Sequence, residues 1–479
     1  MTYSPLFPQW LHRLAPMGRR TTEVLSRVRQ CTLSQIETRF APIFLNAALR
    51  APSPQDPQRE RPYSNRRTFW CFLWQVLNQN TSCREVVAPL QAVLCLHGVF
   101  KLDSENSAYC QARARLPLSW LEEGLRHTAA AADRVGTRRG LLQNRPLKAA
   151  DGSTVNLADT PKNQKKYPQQ KGQKPGCGCP IMRLSVVFSL HSGAVLQVAK
   201  GTYYQHELRI FHTLHHPLSA GDILVYDRAG GHYVLAAQMR QLQVDLISRV
   251  FKRHIDFRHG QRLGKNDRLV VWKKGPEKPA YLSPEEWAAL PAHITVRVLK
   301  VRVQRQGCRT HKLTLVTTLL DPVQYPATEI AAVYLRRWRL ELCLDDLKTT
   351  LGMASLRCLS PAMVEKELLA FLIAHNLVRW IMAQAAREHG VDVDRLSFMG
   401  TLDAFRQFAT AMAGAKTAKN RHQIWDELLR RLVDDQVPDR PGRREPRAVK
   451  RRPKSYPLLN KPRHQFKENG RRSHCKPKH

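Results

Sequence analysis

A mixed α/β core, flanked by helices and interrupted by a β-rich segment, is the fold class this sequence predicts. Three observations carry it. From Thr68 the text TFWCFLWQVLNQNTSCREVV spaces its apolar residues three and four apart, the helical period. At PLKAADGSTVNL the period drops to two, and PIMRLSVVFSL and GAVLQVAKG follow as β-rich runs. Beyond Pro326 the helical period returns and holds to about residue 435.

Taken in order, residues 1–140 read as a helical region. A helical pattern from Thr22 to Leu49 gives way to the breaker-rich linker APSPQDPQRERP, and helices resume through NSAYCQARARLP. Residues 141–250 give three strands, a helix, a strand, a helix and a strand. The first strand holds AADGST, the turn His191-Ser192-Gly193 divides the second from the third, and DILVYD and VDLISRV are the fourth and fifth. Residues 251–325 favour strands again (RLVVWKK, ITVRVLKVRVQR, KLTLVTTLL) and form a β-rich insertion. Helices of 326–435 complete the core, and 436–479 is a polybasic, proline-containing stretch expected to lack a fixed fold.

At 479 residues the chain has length for roughly three domains. Lys and Arg number 77 against 39 for Asp and Glu, a net charge of +38, while the hydrophobic fraction of 43% is ordinary for a folded protein. That content excludes a wholly disordered basic protein. The charge excess points to a polyanion and argues against an enzyme of small neutral metabolites. It is also dispersed: Val437 to His479 carries fifteen Lys or Arg against three acids, and Phe251 to Lys312 fifteen against five. Eleven cysteines stand singly apart from Cys177-Gly-Cys179, which has no partners at zinc spacing, so reduced thiols in a cytoplasmic protein are expected. The longest apolar stretch, Glu367 to Ala386, carries His375, Asn376 and Arg379 and reads as a buried core helix, with no role for a membrane.

Three acids stand where folds place chemistry. Asp151 ends the first strand, with a following glycine that allows a sharp turn; Asp227 ends the fourth strand; Glu341 lies within the helix ATEIAAVYLRRWRLELCLDDLKTTLGM. Carboxylates converging from separate elements hold hard divalent ions while leaving coordination places for a phosphate. At about 100° per residue, Tyr334, Arg337, Glu341 and Lys348 share one helix face within roughly 60°. A carboxylate beside two cations and a phenol suits a metal ligand flanked by phosphate-holding groups. A salt-bridged solvent face, with Arg337 paired to Glu341, fits the spacing as well.

The text YLRRWRLELCLDDLK resembles the signature helix of IS4-type DDE transposases, Y-x-x-R-x-x-x-E-x-x-x-x-x-x-K, at every position. DGSTVNLADTPKNQ resembles that family's first-aspartate segment and GDILVYDR its second, and the resemblance covers most of residues 60–460. It implies an RNase H-like catalytic core in which Asp151, Asp227 and Glu341 are catalytic and bind two Mg²⁺ ions, with Mn²⁺ able to substitute. It implies that Arg337 and Lys348 clamp phosphates, that Tyr334 donates a hydrogen bond to one, and that Arg228 contacts DNA or neutralises the carboxylates. The implied partners are duplex DNA, as terminal inverted repeats and target, and a second copy of the chain in a synaptic complex. The implied reaction is cut-and-paste transposition. An inactive regulator descended from a transposase and a metal-dependent nuclease without strand transfer are the alternatives.

One departure bears on the hairpin step. Relatives that form DNA hairpins place a Trp on the last insertion strand, whereas HKLTLVTTLLD has no aromatic; Trp272 is the other candidate for stacking. Elsewhere, the lysine-rich loop TPKNQKKYPQQKGQKPGCGCP is expected to act as a flexible DNA clamp, and Arg113 and Arg115 to face the terminal repeat. Glu207, in the first turn of a helix, is taken as a dipole-complementing acid without a catalytic part.

Overall fold

The computed structural model describes residues 36–438 except 38, 46–62, 79–80, 97–103, 137–139, 216–217, 251–256, 258, 304–310 and 416, together with Gln465. Most of the Thr22 to Leu49 pattern, the linker and nearly all of the basic tail lie outside the described residues.

Among the described residues, α1 (Asn65–Leu77), α2 (Cys83–Leu96), α3 (Ser107–Arg115) and α4 (Leu118–Val135) precede the sheet. Their starts follow local chemistry. Ser64 accepts from the Arg67 N–H at the head of α1, and Ser82 and Glu85 form a reciprocal capping box at the head of α2. Phe44, Phe69 and Trp70 pack edge to face in the core beneath them.

The sheet has the order β3-β2-β1-β4-β5-β9-β8-β7-β6. Its first five strands are β1 (Leu147–Leu157), β2 (Ile181–Ser189), β3 (Val195–Thr202), β4 (Ile223–Tyr226) and β5 (Asp245–Arg249). Within them β1, β4 and β5 run parallel and β2 and β3 antiparallel, the RNase H-like arrangement. The insertion contributes β6 (Gln261–Gly264), β7 (Asp267–Lys273), β8 (His293–Val303) and β9 (His311–Thr317). Because β9 pairs antiparallel with β5, the insertion prolongs the core sheet. Trp272 lies half-buried on β7 against the second apolar cluster of the molecule. A two-residue strand, β10 (Ser355–Leu356), adds to the far end of β1.

The lysine-rich loop contains a one-turn helix, Pro161–Lys166, capped by Thr160. It is organised around Gln169, whose amide donates to the Gln173 and Lys174 carbonyls while its oxygen accepts from Gly176 and Gly178. The flexible clamp expected from its composition is thus a loop with its own hydrogen-bonded frame.

The apolar stretch is helix α11 (Pro361–Glu388), following α9 (Ala327–Arg336) and α10 (Trp338–Asp345). It is long and apolar enough to cross a membrane, yet most of it is buried inside the protein. Gly124 of α4 meets it closely, since a Cβ there would stand 3.1 Å from Ile373. The polar residues interrupting this helix dock the β2–β3 turn. Asn376 accepts from the Val195 N–H at 2.7 Å and donates to its carbonyl at 2.8 Å, and Arg379 Nε donates to the Ser192 carbonyl. Gly193, at φ +74°, leaves room for that guanidinium. From α4, Asp133 takes the Ser192 hydroxyl. His375, its pKa lowered to about 3 by burial, stacks on Phe398.

Asn376→Leu leaves two buried backbone groups of Val195 unpaired, at about 1–3 kcal/mol each. Urea unfolding of the variant is expected to show a loss of about 3 kcal/mol; a change below about 1 kcal/mol would sink this account of the docking.

Candidate active site

Asp151 occupies the fifth position of the eleven-residue strand β1, opposite Val186 of β2. The sequence reading that ended the strand here is corrected: Gly152 does not turn but stays extended, opposite Ser185. The glycine serves another purpose. A Cβ at residue 152 would stand 2.5 Å from Glu207 Oε2, so its absence admits a second carboxylate beside Asp151. Glu207 reaches this place from the start of helix α6 (Glu207–His212) and accepts from Tyr226 Oη at 3.0 Å. Tyr226 ends β4, and Asp227 follows it directly.

Asp227 caps a short turn, its Oδ1 accepting from the Ala229 N–H at 2.8 Å, and its carbonyl accepts from Ser248 Oγ of β5. Arg228 opens that turn and is half-buried. Burial raises the Asp151 pKa above the ordinary carboxylate value; Arg337 and the Gly152 N–H oppose the shift, and Asp227 and Glu341 add to it. Glu207 is raised as well, first by burial, against the Tyr226 hydrogen bond and with the charges of Asp227 and Asp151.

The helix carrying the other residues is broken, which corrects the single straight helix expected from its period. It tightens at Arg337, between α9 and α10, where Arg337 N–H donates to the Tyr334 carbonyl and Leu340 N–H to that of Arg337. It then widens into a π turn over Asp346–Thr350, closed by Leu351 N–H on the Asp346 carbonyl. The π turn changes the advance per residue, so counting 100° per residue from Glu341 to Lys348 no longer applies.

The break leaves Arg337 between two carboxylates. Its Nη1 lies 3.5 Å from Asp151 Oδ2 and its Nη2 3.1 Å from Glu341 Oε1. Burial works against this guanidinium, but Tyr334, Asp151 and Glu341 outweigh it and hold the pKa above the usual value. Tyr334 is buried at 7% exposure, with Arg337 and Arg249 as its cationic neighbours. Lys348 is half-buried on the π turn, which lowers its pKa. The structure therefore brings Asp151, Asp227, Glu341, Arg337 and Tyr334 into mutual electrostatic reach, while Lys348 makes no ion pair among the described residues.

These carboxylates offer the all-oxygen donor set that hard divalent cations require. Among the described residues no three His, Cys, Asp or Glu side chains stand close enough together to hold a metal ion. The guanidinium of Arg337 stands between Asp151 and Glu341 as a cation would. The oxygen donors of these carboxylates fit a divalent ion.

Residues 143–377 match the transposase DDE domain family. Over 429 residues, 84% of this chain and 89% of the relative, the sequence is 27% identical to the transposase InsG for insertion sequence element IS4 of Escherichia coli (strain K12). The chain belongs to the IS4-type DDE transposases. A solved structure, the piggyBac transposase synaptic complex with hairpin DNA, aligns over 87% of this chain and 85% of its own at 10% identity. The TM-score of that alignment is 0.38. As a DDE transposase the protein is a DNA-cleaving enzyme, of a class that works with divalent metal ions.

The sequence reading took Glu207 only as a helix-start acid, whereas the structure sets its carboxylate over Gly152 beside Asp151; Trp338 it did not single out. Trp338 lies one residue beyond Arg337 and is 61% exposed, with Leu335 and Leu342 exposed at helical spacing on either side. Its signal was an indole held between arginines in RRWRLE.

A carboxyl whose folded pKa lies above its unfolded value binds its proton more tightly when folded. Without divalent cations the stability it contributes is therefore present at low pH and lost as pH rises through the folded value. In chelator, Asp151→Asn is expected to melt above wild type at neutral pH, with the difference closing as pH falls toward about 4. A variant melting at or below wild type at pH 7 would contradict the burial argument.

Proposed function

We propose that this transposase binds the terminal inverted repeats of its insertion sequence, cuts the DNA at the element ends, and joins the freed 3′-OH groups to target DNA. The observation that carries the reading is the Arg337 bridge between Asp151 and Glu341, with Asp227 in electrostatic reach. It supports Asp151, Asp227 and Glu341 as the metal-holding catalytic residues. Two Mg²⁺ ions, or Mn²⁺ in their place, would supply the acidity that deprotonates water and the charge that stabilises a leaving 3′ oxygen.

The chain's own residues perform the positioning. Arg337 presents a planar fork that matches two phosphate oxygens, and it stands beside the carboxylates where a scissile phosphate must lie. Tyr334, buried beside it, keeps that fork oriented and offers its hydroxyl toward the same phosphate. Lys348 and Arg228 hold flanking phosphates as cations. Glu207, tied to Tyr226 and packed over Gly152, fixes the spacing of Asp151 and Asp227. Trp338 gives an unpaired base at the cut a flat, exposed ring to stack on, an interaction worth about 1–3 kcal/mol. Each step is an in-line displacement at phosphorus. The oxygen of water, or later the 3′-OH, bonds to phosphorus as the opposite P–O bond breaks, so one constellation serves cleavage and joining. Holding two ends together calls for a second copy of the chain.

Asp151→Ala, Asp227→Ala and Glu341→Ala are each expected to cut inverted-repeat DNA at less than about a hundredth of the wild-type rate. Gel-shift affinity should stay intact, and any one variant cutting at the wild-type rate overturns the assignment. Because the +38 charge is spread over the chain, affinity for duplex should fall about a thousandfold or more between 50 and 200 mM salt. Affinity that is flat across that range would remove the phosphate-clamp reading.

A further inference from the structure

A cavity of about 520 Å³ opens where α1, α2 and α3 meet β10 and the start of α11, away from the carboxylates. Its wall at Ser355 lies opposite Asn156 of β1, five residues beyond Asp151 and thus roughly 17 Å along the strand. Arg113 lines it. This residue was expected on the surface of α3 with Arg115; Arg115 is exposed, but Arg113 is only 5% exposed. Its guanidinium lies 4.0 Å over the Phe72 ring, and its Nη groups reach only the sulfurs of Cys83 at 3.0 Å and Cys358 at 3.3 Å. Thiols are weak acceptors. Its Nε–H has no acceptor, and no ion pair engages it among the described residues. Among the described residues the one acid on the wall is Glu367, which acts on Arg113 at longer range and is itself held by the backbone N–H groups of Arg357 and Cys358.

Two helix starts face the same space. Ser82 and Cys83 bring the head of α2, and Ser360 and Met363 the head of α11. Ser360 caps α11 without a side-chain hydrogen bond, so the positive end of a 28-residue helix is left for another acceptor. A buried guanidinium in ion-pair contact with no carboxylate, beside the uncapped start of α11, is the chemistry of a phosphate site.

We propose that this cavity binds one phosphate group, and that its source is the backbone of bound DNA. The distance from Asp151 is about what five nucleotide steps cover at about 3.4 Å each, so a strand entering the catalytic cleft is long enough to reach both places. The choice of DNA as source rests on the transposase reading above. The cavity itself does not.

The cavity carries its own reporters, since Cys83 and Cys110 line it as free thiols. The full chain is alkylated with N-ethylmaleimide in chelator, where nothing is cut, and the modification rates of both cysteines are read by peptide mass spectrometry. The additions are random-sequence duplex at low salt, inorganic phosphate, or a deoxynucleoside monophosphate. Duplex is expected to slow alkylation about tenfold at concentrations where the small phosphates do little, and Arg113→Gln should abolish the protection. Should Arg113→Gln fail to fold, Ser355→Asp, at an exposed rim position, should repel the phosphate and have the same effect. Protection by the small phosphates but not by duplex overturns the DNA source. Protection by neither, or protection unchanged in both variants, overturns the site and leaves Arg113 a packing residue. Either negative result leaves the assignment of Asp151, Asp227 and Glu341 standing, because cleavage is not measured.

Discussion

Negative charge gathered in a half-buried place is the constraint on which the rest of this structure depends. Asp227 and Glu341 act on Asp151, and Asp227 and Asp151 on Glu207, across the middle of β1 and the end of β4. Burial raises the proton affinity of Asp151 and Glu207, and the like charges beside them add to the effect. The surroundings oppose it with few groups. The Gly152 and Ala229 N–H groups each take an aspartate oxygen, Tyr226 takes Glu207, and Arg337 spans Asp151 and Glu341. A site so arranged gathers more acids than cations.

The shape of the polypeptide around it follows. A helix tightened at Arg337 and widened after Asp345 sets a guanidinium between carboxylates from different elements, and the same break leaves Trp338 in solvent. Behind the sheet, Asn376 and Arg379 tie the β2–β3 turn to α11, and Asp133 ties it to α4. The helical layer thereby holds the antiparallel edge of the sheet, and the paired strand β1 holds Asp151.

Much of this was legible in the sequence, because periodicity and charge are local properties. The order of strands and helices in 141–250 follows from alternation and turn residues, and the signature residues lie in one continuous segment. Three features were not legible, and each is a matter of long-range contact. Gly152 read as a turn because a glycine's freedom is visible in sequence, whereas the carboxylate it makes room for comes from residue 207. Arg113 read as a surface cation because its burial depends on Phe72 of α1, Cys83 of α2 and Cys358 in the loop before α11. The broken helix read as straight because a π turn conserves composition and changes only which carbonyl each N–H finds.

The pairing of β9 with β5 has a consequence for how such a protein can change over generations. Strands β6 to β9 hang on the catalytic sheet through a ladder whose register at Ile247–Thr317 is fixed by the pleat. One residue gained or lost in that ladder would turn every side chain of β9 over and carry the fault outward through β8 and β7. The segments between the insertion strands face no such rule. Diversification among descendants of this chain should therefore gather at the outer tips of the sheet, while the seam between β5 and β9 keeps its length.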